Sequence, residues 1–509
     1  MQDRRDFLRS CWVGGLGMSL LACGGKHGMS PSPDGSTSPD GGGVTGEFPV
    51  PPLDDGELVD GTRVFRLQLQ TGSVEWIAGH PTATYGVNGD VLGPTLHLRR
   101  GEHVRIEVTN ALAETTTLHW HGLEVPARMD GNPYQTIAPG ATWLSEYDVD
   151  QRALTAWYHP HQMHQTGRQV YMGLAGMILV DDAAQASELP STYGVDDLPV
   201  ILQDRRFFAD GTHPYSPGKT LTNFDMMSGV RGDTMLVNGR ISPHGIVPRK
   251  LVRLRVLNGS NARIYHLGFS DGRAFHQIAS DGGLLAAPIE TTRVLVAPGE
   301  RAELVVDFSG DAEGATVELQ SFSGEVFGSL YVGMMGTHLT DALDRSTFSI
   351  MTFEARGEPS PETIPAAFEP IARGSAGDAV RTRAITMSMQ TGTFLLNGTR
   401  MTELGNVPAA INFQIPAGDT ELWSVTNTSG IAHPLHLHNS HFQVLDIDGQ
   451  PPPPEFAGWK DTALIKPGRT TRLLVRFTGT PDATTPYMFH CHILEHEDMG
   501  MMGQFFLVP

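Results

Sequence analysis

The chain has 509 residues, with 36 Lys and Arg against 56 Asp and Glu, and the resulting net charge of −20 argues against nucleic acid and favours neutral or cationic small partners. Of its three cysteines, Cys11 and Cys23 fall in the N-terminal leader, so the mature body holds one free thiol, Cys491, and no internal disulfide. The body is long enough for two or three domains.

Arg4-Arg5-Asp6-Phe7-Leu8, followed by Cys11 to Ala22, has the basic opening and short apolar segment of a twin-arginine export signal. About a dozen apolar residues are too few to anchor in a bilayer. Leu20-Leu21-Ala22-Cys23 resembles a lipobox, in which cleavage precedes an acylated Cys23; ordinary cleavage near Ala22 is the alternative. Residues 1–23 are therefore expected as a signal, and 24–54, rich in Gly, Ser, Pro and Asp, as a disordered tether. A periplasmic or cell-envelope location, with a lipid anchor at Cys23, follows.

From residue 55 onward Gly and Pro are abundant, strand-like runs are short and amphipathic helices scarce, which predicts an all-β body. A plan recurs in YGVNGDVLGPTLHLRRGEHVRIEVTN, MLVNGRISPHGIVPRKLVRLRVLNGS and FLLNGTRM with NFQIPAGDTELWSVTNTS. Each has a strand, an Asn-Gly reversal (Asn88, Asn238, Asn397) and an alternating strand closing on Asn110, Asn258 or Asn427. The repetition predicts three similar β-sandwich domains over 55–185, 190–345 and 380–509, with linkers near 182–198 and within 337–380.

Histidine spacing carries the chemistry. His119-Trp120-His121, His159-Pro160-His161, His436-Leu437-His438 and His490-Cys491-His492 are four His-x-His pairs, where chance predicts about one. A single pair reads as a half-buried strand with solvent-side histidines; four do not. In the last, strand alternation sends Cys491 to one face and both imidazoles to the other, so two metal centres would be joined by a few bonds. Thiolate, imidazole and thioether together suit copper. Zinc would ask for a closed four-ligand shell, and no partner thiol exists. In the middle repeat His244, His266 and His276 are scattered and read as structural or surface residues.

HWHG, WYHPHQ, HPLHLH and HCHILEHEDMGMM resemble, in order and spacing, the four ligand motifs of the multicopper oxidases, over nearly the whole mature chain. The resemblance implies three consecutive cupredoxin-like Greek-key β-sandwich domains and four copper ions: one type 1, one type 2 and a type 3 pair. It assigns His433, Cys491 and His496, with axial Met501, to the type 1 ion; Met499 and Met502 are the competing thioethers. His119 and His436 would hold the type 2 ion, and His121, His159, His161, His438, His490 and His492 the pair. A donor near the edge of His496 or His433 would give one electron at a time, and O2 would be reduced to water. Glu497 and Asp130 match positions that deliver protons, against a plain reading as hydrogen-bonded loop carboxylates. His164 and His441 read as outer contacts, Trp120 and Trp157 as lining the cluster, and the Pro451 to Pro454 loop with Phe456 and Trp459 as a substrate rim.

Such ligands can share a cluster only if the first and last repeats meet, which leaves the middle one as a spacer. Cuprous oxidases of this family carry a Met-rich insertion, and an acid and a Met ahead of HPxHxH; here Thr428 to Ala432 has neither, and 337–380 holds only Met351. That tilts the expected reductant toward phenols or aromatic amines rather than Cu(I). Cuprous oxidation and a non-catalytic cupredoxin scaffold remain the alternatives, although scaffold relatives lack the ligands. A nitrite reductase would not need the second His of each pair. The protein is expected to be a monomer.

Overall fold

A computed structural model of the protein describes residues 45–185, 188–338 and 340–509. The expected export signal, Cys11, Cys23 and most of the expected tether lie outside the described residues. Strands dominate, joined by short helical turns. Among the described residues no helix is long and apolar enough to cross a membrane.

Alternation builds the sheets. In strand His103–Asn110 the side chains of Val104, Ile106 and Val108 are buried while Arg105 and Glu107 stay partly exposed. Each fully buried aliphatic side chain of this size contributes about 1.5–3 kcal/mol. The first part of the chain forms two five-stranded sheets: Glu57–Val59, Thr62–Ile77, His103–Asn110 and Thr142–Asp148 with His80–Val87, and Leu53–Asp54, Thr95–Arg99, Gly176–Asp181, Leu154–His159 and His119–His121. Between them lies a core that includes Phe65, Leu96, Ile106, Trp120 and Ile178. The last part repeats the arrangement with Arg381–Gln390, Thr420–Asn427 and Thr470–Arg476 in one sheet and Met502–Val508, Asp482–Cys491 and His433–Leu437 in the other, around Trp423, Phe489 and Phe505. The middle part is a single twelve-stranded sheet wrapped round Val200, Leu254, Leu304 and Phe353.

Two boundaries differ from expectation. Strand Phe348–Arg356 pairs with Arg240–Pro248 and Thr316–Ser321, so the middle sheet continues past residue 345; Met351, Phe353 and Ala355 supply the buried alternation. Residues 45–54, assigned to the tether, form a strap. Thr45–Glu47 pairs with Arg240–Pro248 and Leu53–Asp54 with Thr95–Arg99, tying the middle sheet to the first.

The repeated asparagines do the same work three times. Asn88, Asn238 and Asn397 take left-handed conformations with φ of 56°, 50° and 48°. Each side-chain carbonyl accepts from a neighbouring strand, from Gln68 N, Ile201 N and Thr386 N at 2.7–2.8 Å. Asn110, Asn258 and Asn427, all buried, each donate to two backbone carbonyls and accept from the amide two residues on.

Pairing register then aligns the histidines. His119 lies opposite His159 and His121 opposite Trp157 in one sheet; His436 lies opposite His490 and Leu435 opposite Cys491 in the other.

Candidate metal centre

The two histidine-bearing sheets face each other and interleave their rings. His119 from the first part stacks on His438 from the last at 3.8 Å between centroids, and His121 stacks on His436 at 3.6 Å. Donor atoms fall into groups, each within 4.8 Å: His119, His121 and His436; His121, His159 and His492; His161, His438 and His490; His433, Cys491 and His496. Every one of these residues is buried.

The outer nitrogens are held, which decides where the inner ones point. His119 Nδ1 donates to Asp130 O at 2.9 Å, His436 Nδ1 to Asp461 O at 3.0 Å, and His159 Nδ1 to Pro160 O at 2.8 Å. His438 Nδ1 donates to Asp130 Oδ2 at 2.8 Å, and His121 Nε2 to Asp461 Oδ1 at 3.1 Å. The nitrogens left over, His119 Nε2, His121 Nδ1, His159 Nε2 and His436 Nε2, are buried with no protein partner. His490 Nε2 lies 3.2 Å from His161 Nε2 and 3.3 Å from His438 Nε2. With protons on the outer nitrogens, these lone pairs confront one another, an arrangement that a shared cation relieves.

Burial holds the His121, His159, His161, His438 and His492 imidazoles well below their ordinary range, and neighbouring rings add to the effect. His436 is pushed down to about 4, again chiefly by burial. These shifts favour the neutral imidazole, the form that has a lone pair to offer a metal ion. Burial raises the Glu497 carboxyl, but His161 and His490 outweigh it and hold the group at about 2. Its oxygens lie 3.3 Å from His161 Nδ1 and 3.1 Å from His490 Nδ1. Glu497 and Asp130 thus flank the cluster, each touching two imidazoles.

Across the strand, Cys491 Sγ lies 3.4 Å from His433 Nδ1 and 3.7 Å from His496 Nδ1. The far nitrogens are occupied: His433 Nε2 meets Ser429 Oγ at 2.8 Å and His496 Nε2 donates to Met227 O at 3.2 Å. The Cys491 amide donates to Met501 O at 3.0 Å, and Met501 is fully buried; Met499 is only partly so. Burial pushes the Cys491 thiol up, so a thiolate here needs a cation beside it. One cysteine sulfur and two imidazoles, beside the buried Met501, fit copper, as does the all-imidazole cluster behind them.

Three expectations need correction. His433 and His496 offer no open edge, being fully buried beneath Phe394, 4.9 and 4.1 Å away between ring centroids, and the Met227 carbonyl. Trp157 does stack on His159 at 4.1 Å, but Trp120 points into the first core beside Trp143, because strand alternation turns it away from His119 and His121. Trp459 docks on Ser280 and Gly282 of the middle sheet, its carbonyl accepting from both.

Sequence reasoning also missed Asp461 and Arg301. Burial raises the Asp461 carboxyl, but Arg301 and His121 hold it well below its usual range. Arg301 sits in the middle sheet, far in sequence from any His-x-His, and no local pattern marks it.

Comparison with known proteins agrees with this site. Family models described as multicopper oxidase match residues 68–185 and 380–509. The Staphylococcus haemolyticus multicopper oxidase mco is 35% identical over 449 residues, 87% of this chain and 88% of that protein. The Escherichia coli cell division protein FtsP is 34% identical over 512 residues, covering 100% and 99%. The solved laccase-like multicopper oxidase CueO from an Ochrobactrum species superposes with a TM-score of 0.80 at 35% identity, covering 91% of this chain and 100% of its own. The chain belongs to the multicopper oxidase family, with an all-β cupredoxin-domain fold. That family binds copper and uses O2 with a reducing substrate.

Proposed function

We propose that the protein is a laccase-type copper oxidase, taking single electrons from a phenol or aromatic amine and reducing O2 to water with four. The observation that carries this reading is Cys491, flanked through its sulfur by His433 and His496 and through its own peptide neighbours by six further imidazoles gathered from both ends of the chain. In it His433, Cys491, His496 and Met501 hold one ion, His119 and His436 a second, and His121, His159, His492 and His161, His438, His490 a pair. Copper, when bound, supplies the one-electron steps and the reduction of O2.

The protein's own groups do the rest. Cys491 gives a short covalent link between the two ligand sets. Glu497 holds a proton-carrying position against His161 and His490, while Asp130 fixes His119 and His438. Helix Asn223–Ser228 keeps water from His496, so the donor meets the protein at Phe224, Met226 and Met227 rather than on the imidazole edge. The Ochrobactrum neighbour is described as active towards lignin model compounds and lignosulfonate, which agrees with an aromatic donor. We read the body as three cupredoxin-like domains, exported by the twin-arginine route, monomeric, and lipid-anchored at Cys23 in the periplasm.

The full-length match to FtsP supports a second reading, a scaffold without turnover. Oxygen consumption with a phenol, an aromatic diamine and Cu(I) side by side, on copper-loaded protein, separates the readings. Turnover with the organic donors is expected. Turnover with Cu(I) alone makes it a cuprous oxidase, and none with any donor supports the scaffold.

A further inference from the structure

We infer that Asp461, clamped by Arg301, is the positioning residue that turns His121 and His436 toward the copper cluster, so that the part of the chain without ligands sets the cluster's geometry. This rests on the ligand assignment proposed above. All five N–H bonds of the Arg301 guanidinium are used: Nε to Thr155 O at 2.9 Å, Nη1 to Gly299 O at 3.0 Å and Asp461 Oδ1 at 2.8 Å, Nη2 to Asp281 O at 3.1 Å and Asp461 Oδ2 at 2.6 Å. Asp281 completes the clamp, accepting from Arg301 N at 2.8 Å, Thr462 N at 3.3 Å and Lys460 Nζ at 2.9 Å. Arg301 and Asp281 belong to the middle sheet, Thr155 to the first part and Asp461 to the last.

From that fixed point one residue holds both rings of the stacked pair. The Asp461 carboxylate takes His121 Nε2, and its backbone carbonyl takes His436 Nδ1. Thr462 Oγ1 bridges them, 2.9 Å from Asp461 Oδ1, 3.3 Å from His121 Nε2 and 3.2 Å from His436 Nδ1. Among the cluster imidazoles whose outer nitrogen is held, His121 is turned the opposite way from His119, His159 and His436, with Nδ1 inward, and the carboxylate is what selects that face. The residue after His121 makes room for the clamp. A Cβ at Gly122, where φ is +93°, would sit 2.5 Å from Arg301 Nη2 and 3.1 Å from Asp461 Oδ2. A buried ion pair contributes little net stability, because desolvation offsets the attraction; orientation is the role left for it.

The test titrates Cu(II) into the metal-free wild type, Asp461→Asn and Arg301→Lys, which keeps the charge but not the fork. Bound ions, the visible blue band and the near-ultraviolet shoulder of the copper pair are followed. Both variants should keep the blue band and bind the shoulder-forming ions about 10–100-fold more weakly. Gly122→Ala, which crowds the clamp without removing a charge, should do the same and stands in if a charge variant does not fold. Titrations that superimpose on wild type, or a blue band and shoulder that weaken together, overturn the inference. A copper-free readout separates this from failure of the oxidase reading: the ring nitrogen shifts of His121 should report the Nε2–H tautomer in metal-free wild type and a mixture in Asp461→Asn, and an unchanged tautomer overturns it whether or not copper binds.

Discussion

Cys491 is the residue on which both ligand sets depend, since its sulfur serves one and its peptide neighbours the other. Cys491→Ser should abolish the blue band, keep the near-ultraviolet shoulder and lower oxygen consumption at least about 100-fold, because the sulfur that joins the two ligand sets is gone. A colourless variant with wild-type turnover would refute the electron link. Glu497 is different in kind, because it touches imidazoles without belonging to any of the five groups of candidate donor atoms among the described residues, one of which joins Asp130 to His119 and His438. Glu497→Gln keeps its size and loses its charge; copper content should hold while O2 reduction, followed by rapid mixing of the reduced protein with oxygen, slows about 10²–10⁴-fold. Loss of copper with activity would instead assign Glu497 to holding His161 and His490.

At the scale of elements, strands are locked by polar side chains that the core alone would not require. His97 on strand Thr95–Arg99 lies 2.8 Å from Asp55 and 2.7 Å from Asp181. The Asp181 hydrogen bond raises its imidazole above the ordinary 6.5, against the opposing effect of burial. A raised native value means that the contribution is complete below about pH 6.5 and lost as pH climbs through the raised value. His97→Gln should therefore cost about 0.5–1 kcal/mol in urea unfolding at pH 5.5 and close to nothing at pH 9; equal costs at both would show that charge is not what the contact uses. Asn258 is the buried strand-end asparagine of the middle part, which bears no proposed ligand. Asn258→Ala strands the carbonyls of Arg263 and Val296 and should cost about 2–4 kcal/mol, read as a lower denaturant midpoint. A change below about 0.5 kcal/mol would show that the repeated hydrogen bonds are incidental to the fold.

For the whole molecule, stability and metal binding are coupled because the proposed ligands come from both ends of the chain. Chelating the copper should lower the thermal midpoint by about 5 °C or more, as binding at roughly 1,000 times Kd contributes about 4 kcal/mol; identical melting with and without metal would mean that the two ends are joined independently of the site. How much of this was legible in sequence follows from range. Local chemistry was legible: alternation in HVRIEVTN, left-handed Asn-Gly reversals, and donor types at a spacing of two, each of which acts within a strand or turn. So were the histidines that the two sheets bring together, because a spacing of two puts both members of a pair on one face of a strand. What only tertiary structure decided were contacts between distant segments: the Met227 cover on His496, the docking of the Trp459 carbonyl on Ser280, and the middle sheet's hold on His121 through Arg301 and Asp461. No local pattern marks an arginine at residue 301 as the partner of an aspartate at 461, since the pair meets only after three separately patterned regions have buried their faces against one another.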